Sequence, residues 1–74
     1  MKYKTNYSVE CTAYVRNNDR ILPEKFSVAG TYTNDVIAKV KLSWKLQEQA
    51  KRKWKHSLVE LKNMKFFYQG ELFQ

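Results

Sequence analysis

The sequence predicts an α+β fold in the order β-β-α-β. Three observations carry the prediction: a long N-terminal stretch with a two-residue hydrophobic period, a following segment without Gly or Pro that has helical periodicity, and a β-branched and aromatic run towards the C-terminus. The expected architecture is a three-stranded antiparallel sheet with the first strand central and one helix packed on one face, residues 1–74 forming a single small domain.

From Tyr3 to Val15 the odd positions read Tyr, Thr, Tyr, Val, Cys, Ala, Val, while Lys4, Asn6, Ser8, Glu10, Thr12, Tyr14 and Arg16 occupy the even ones. A strand with one apolar and one polar side belongs to an antiparallel sheet covered on one face. Asn17, Asn18 and Asp19 supply turn residues, and after Pro23 a second strand is marked by Phe26, Val28, Gly30 and Tyr32. The two strands are expected to be joined by a loop of roughly six residues containing Ile21 and Leu22.

Thr33 or Asn34 can cap a helix whose positive end Asp35 suits, and which continues to about Lys55. At about 100° per residue, Val36, Ile37, Val40, Trp44, Gln47, Ala50 and Trp54 form a broad stripe, expected to lie on the sheet with both tryptophans as anchors. Leu42 and Leu46 fall outside that stripe as a second, smaller apolar edge. After Lys55, Leu58, Val59, Leu61, Met64, Phe66, Phe67 and Tyr68 predict a third strand, whose alternation changes face near Asn63 and so calls for a bulge or tight turn there. Gly70 interrupts it, leaving Glu71 to Gln74 as a short apolar tail.

Fourteen Lys and Arg against seven Asp and Glu give a net charge of +7, which favours anionic partners. Seven cations lie between Lys39 and Lys55 against the single acid Glu48, which is spaced to pair with Arg52. Lys41, Lys45 and Arg52 fall within about 40° of one another on the helical wheel and form an expected outward line for phosphates. The candidate nucleic-acid-binding residues are Lys41, Lys45, Lys51, Arg52, Lys53 and Lys55 on the helix, with Lys4 and Arg16 on the open sheet face, where Lys2 and Tyr14 also fall. Leu42, Leu46, Phe66, Phe67, Leu72 and Phe73 exceed what one thin core is expected to cover, and are the candidate protein interface, of a homodimer or of a partner with an acidic surface.

Enzyme chemistry is not expected, because no spacing unites a nucleophile, a base and an orienting acid, and no phosphate-cradling glycine motif is present. His56 beside Lys53 or Lys55 supplies the acid and base of a small ribonuclease only in principle. One cysteine, Cys11, and one histidine exclude an internal disulfide and a Cys/His zinc site, so no metal or cofactor is expected. The lone cysteine and the lack of a long apolar run predict a cytoplasmic protein with no membrane association. In size, in Lys, Asn and Tyr content and in its lack of motifs, the chain is similar to the small early proteins of bacteriophages and mobile elements, a resemblance that implies an inhibitor or antitoxin-like module acting on a host protein, through RNA in one version. The charge itself predicts a non-enzymatic nucleic-acid-binding protein of weak sequence preference, RNA favoured over DNA.

Overall fold

The computed structural model describes residues 4–73, so Lys2 and Tyr3 lie outside the described residues. Strands β1 (Thr5–Asn17) and β2 (Arg20–Tyr32) precede helix α1 (Asp35–Lys53), and β3 (Leu58–Tyr68) and β4 (Glu71–Phe73) follow it. All pairings are antiparallel, and the sheet has four strands in the order β2-β1-β3-β4. The expected three-stranded sheet is therefore corrected: β1 is interior between β2 and β3, as their pairing with it requires, but it shares the interior with β3. The added strand is the supposed tail. Gln69 (φ 49°) and Gly70 (φ 86°) both take left-handed conformations, the requirement of a two-residue hairpin turn whose twist matches its strands, and this returns Glu71–Phe73 along β3.

The first hairpin is also tighter than expected. Asn17 pairs with Arg20 across Asn18 and Asp19 alone, with Asn18 at φ 58°, so Ile21 and Leu22 belong to β2 rather than to a loop. Pro23 is compatible because β2 is an edge strand. The Ala29 carbonyl turns outward to accept from Lys45, and Pro23, an even number of residues away, turns its missing N–H to the same solvent side. In β3, Asn63 (φ 58°) and Met64 together oppose Cys11, a bulge at the place where the alternation of the sequence changes face. It brings Met64 and Phe66 to the side that Leu61 already occupies, against the core.

On β1 the residues Tyr7, Val9, Cys11, Ala13 and Val15 are buried, and the helix lies over that face. Its rotation is the main departure from expectation. Ala38, Leu42, Leu46 and Ala50, four residues apart, are all 0 % exposed, whereas Val36, Val40 and Trp44 are 72 %, 65 % and 68 % exposed. Leu42 and Leu46 are thus core, not interface, and the supposed core stripe of Val36, Ile37, Val40 and Trp44 faces outward. The buried row is apolar at every step and has an alanine at either end, which lets the helix approach closely; the broader stripe contains Ser43 and Gln47, whose side chains bond to each other at the surface. Trp54 does meet the sheet, edge-on to Phe26 with ring centroids 5.2 Å apart.

Two contacts fix the helix N-terminus. Asn34 Oδ1 accepts the Ile37 N–H at 2.9 Å, and the Tyr7 hydroxyl donates to Asp35 Oδ1 at 2.8 Å. Around Tyr7 stand Tyr32, Tyr68 and Phe73 at 6.2, 5.1 and 5.7 Å, so that one aromatic from each strand meets under the first turn. The body measures 52 × 20 × 14 Å, and from Arg16 to Lys25 every residue is exposed: the hairpin projects beyond the helix, as the lengths of the two elements predict.

Candidate nucleic-acid interface

The end of α1 creates a basic pole. Past Lys53 the chain makes a turn in which Trp54 N–H bonds to the Ala50 carbonyl, and both Ser57 and Leu58 N–H bond to the Trp54 carbonyl, at 2.9 to 3.0 Å. The Ser57 carbonyl then accepts the Arg16 N–H at 2.8 Å, tying this turn to β1. Consequently Lys51, Arg52, Lys53 and Lys55, all exposed, share one end of the molecule with Arg16, which is about 40 residues distant in sequence. Arg20, across the hairpin turn from Asn17, lies at the same end and escaped the sequence reading. The ladder places Arg20 on the helix side of the sheet and Arg16 on the open side, so the pole carries charge on both faces.

The cations of the pole differ in freedom. Lys53 Nζ stands 4.9 Å from the ring centre of Trp54 and 5.5 Å from that of Phe26, held by ring electrons rather than by a carboxylate. Lys51, Arg52 and Lys53 also lie in the last turn, where the helix carbonyls favour positive charge. Asp19, Glu24 and Glu60 are the acids of this end; Glu24 lines a groove of about 290 Å³ with Arg16, Trp54 and Ser57, and Glu60 pairs with Tyr14, two residues from Arg16 on the open face. Among the described residues the one ion pair is Lys62 Nζ to Glu60 Oε1, 3.4 Å, on the open face of β3, where Glu60 pairs with Tyr14 of β1. The anticipated Glu48–Arg52 pair is not formed, which leaves Arg52 without a carboxylate partner.

The other candidates are dispersed. Lys45 Nζ donates to the Ala29 carbonyl at 2.7 Å and so covers the edge of β2. Lys41 lies one turn nearer the helix N-terminus; with Leu42 and Leu46 buried, the outward centre of α1 holds Val40 and Trp44, and the expected basic line of Lys41, Lys45 and Arg52 runs along the flank towards β2 instead. Lys4 is at the far end of β1, about 40 Å from Arg16 at some 3.3 Å per residue, and cannot join it on one short ligand. On the open face, Lys62 Nζ lies 5.9 Å over the Tyr14 ring and so already covers that aromatic.

Of the proposed protein interface, Phe66 and Phe73 are half-buried against the core, their ring centroids 6.3 Å apart with Lys39 Nζ 5.9 and 5.3 Å from them. Phe67 and Leu72 pair on the opposite face, half-buried and exposed respectively. Cys11 is buried, and burial followed by the nearby Glu10 carboxylate raises its thiol above the usual range, which disfavours the nucleophilic thiolate. His56 is exposed, and no group of His, Cys, Asp and Glu suited to a metal occurs among the described residues. No helix among them is long and apolar enough to cross a membrane. Comparison with family models, with curated proteins and with solved structures gives no match.

Proposed function

We propose that this chain is a non-enzymatic nucleic-acid-binding protein that holds phosphates at its basic pole, with RNA favoured over DNA and little sequence preference. The observation that carries this reading is the convergence of Arg16, Arg20, Lys51, Arg52, Lys53 and Lys55 at one end, none of them ion-paired with a carboxylate among the described residues. Such cations keep their field in solution and release counterions from a phosphate backbone on contact. Lysine predominates on the helix side of the pole, which favours charge and shape over the bidentate reading of base edges.

The test is fluorescence anisotropy with a labelled RNA of about twenty nucleotides and a DNA duplex of the same length, titrated over salt. Contact with about five phosphates gives a slope of log affinity on log salt near −3.5 for the single strand and −4.5 for the duplex. Lys51→Glu with Arg52→Glu should abolish binding while Lys4→Glu, at the far end, leaves it within about twofold. A flat salt response, or equal loss from both variants, removes the proposal.

A further inference from the structure

We infer that the outward crest of α1, formed by Ile37, Val40 and Trp44 with Val36 beside them, docks into an apolar groove rimmed by carboxylates on another protein. The three anchors stand at i, i+3 and i+7, the spacing by which one helix face enters a groove, and they are 40 %, 65 % and 68 % exposed. Their backbone is already fixed. Asn34 caps the helix, Asp35 holds Tyr7, and Leu42 and Leu46 clamp the opposite side to the sheet. Val36, Ile37 and Val40 are β-branched, and in a helix such side chains keep essentially one χ1 rotamer. The crest therefore presents a set shape and loses little freedom on binding, an advantage that a fitted protein pocket exploits and a fluid bilayer does not.

Charge selects among protein occupants. Lys41 and Lys51, both exposed, stand beside the crest; Asp35 turns inward to Tyr7, which leaves Glu48 as the acid on the outward side of the helix, and the whole chain carries +7. A second copy laid crest to crest sets these lysines against their own kind. A groove with acidic walls instead meets them with opposite charge while its floor takes Trp44 and Val40. This surface meets the basic pole at Lys51, two turns beyond Trp44, but its anchors Ile37, Val40 and Trp44 lie outside the pole and do not depend on the nucleic-acid reading.

The test places a photo-reactive p-benzoylphenylalanine at Val40 of the full chain and, separately, at Thr31 on the open sheet face, in cells that make the protein. Mass spectrometry identifies the adduct, and that partner is purified for affinity measurements with the unmodified chain. We expect an adduct from position 40 and not from 31, its attachment site in an apolar groove bordered by Asp or Glu, and a complex stable to nuclease. Trp44→Ala then weakens affinity about 30-fold or more, and Lys41→Glu, outside the basic pole, weakens it further in a salt-dependent way. Val40→Ser provides a second variant, and each is checked for an unchanged melting curve. The inference is overturned by equal adducts from both positions, by an adduct to lipid or to a second copy, by a complex that nuclease dissolves, or by Trp44→Ala and Val40→Ser variants that melt normally and bind within twofold of the parent.

Discussion

Leu46 and Trp44 stand two residues apart on α1 and face opposite ways, so a pair of alanine substitutions tests the rotation on which every surface assignment rests. Leu46 is 0 % exposed and sits in the cluster formed with Val9, Cys11, Val28 and Leu42. Truncation there removes buried carbons and leaves a cavity, at a cost of about 3 kcal/mol within the usual 2–5. A domain of this length has about 4–11 kcal/mol in total, so Leu46→Ala removes a large share of it. Its thermal midpoint should fall by roughly 12 °C or more, since each kcal/mol shifts a domain of this size by about 4–8 °C. Trp44 is 68 % exposed, and Trp44→Ala should cost below about 1 kcal/mol despite deleting the larger side chain. Urea unfolding followed by far-ultraviolet circular dichroism gives both values at constant m. A reversed order, with Trp44→Ala the more damaging, refutes the rotation and returns the tryptophan to the core.

Other substitutions probe the elements that hold this arrangement. Asn34→Ala removes the acceptor of the Ile37 N–H and should cost about 1 kcal/mol in the same unfolding assay; no loss means that the cap is dispensable. In Gly30→Ala the new Cβ meets the Tyr32 ring and hydroxyl at 2.7 to 3.0 Å, so the ring must swing off Tyr7; a cost of about 1–3 kcal/mol is expected, and a neutral result shows that the ring yields freely. Burial, and then the hydrogen bond to Asp35, raise the Tyr7 hydroxyl above its ordinary value. The folded state thus favours the neutral phenol, and its contribution is fully present below the unfolded value of about 10 and is lost as pH rises through the higher native one. Urea midpoints should fall across that alkaline window more steeply for the parent than for Tyr7→Phe; parallel profiles exclude the linkage.

The strands were legible because β1 repeats every two residues with hardly an exception and because the bulge at Asn63 leaves its mark as a change of face in the sequence. Strand β4 was not. Its hairpin turns on Gln69–Gly70, and glutamine lacks the short polar side chain that makes Asn-Gly or Asp-Gly a turn signal, while three residues are too few to show a period. The helix was legible in extent and not in rotation. Bulk drew the reading towards Val36, Val40 and Trp44, yet Ala38, Leu42, Leu46 and Ala50 form an unbroken apolar row with small residues where the backbone must come close, a signal present in the sequence and outweighed by size. Of the candidate site, the run Lys51 to Lys55 could be read directly, but the convergence with Arg16 depends on the Ser57 carbonyl bonding back to β1, a contact between distant residues that no local pattern records.

The rotation also decides what each surface is able to bind. With the leucines inside, the widest part of the outer helix face is neutral and apolar, so a phosphate backbone laid along it would desolvate Val40 and Trp44 against its own charge without return. The lysines on the flanks are partly occupied, Lys45 by the Ala29 carbonyl and Lys39 by the Phe66 and Phe73 rings. Beyond the crest, where α1 ends beside the projecting hairpin, exposed cations gather at the helix terminus, whereas Lys25, Lys62 and Lys65, which gather on the open face, stand directly among Glu10 and Glu60. On the proposed reading, polyanion contact belongs to the end of the molecule rather than to its back, with Trp44 seven residues, or about 10 Å, before Lys51 along the helix, and one partner is held at each. Simultaneous occupancy is measurable: RNA affinity at the pole should stay within about twofold when Trp44→Ala is introduced, because side chains in separate networks contribute nearly additively. A larger loss would mean that nucleic acid reaches the crest and that the separation of the two sites is wrong.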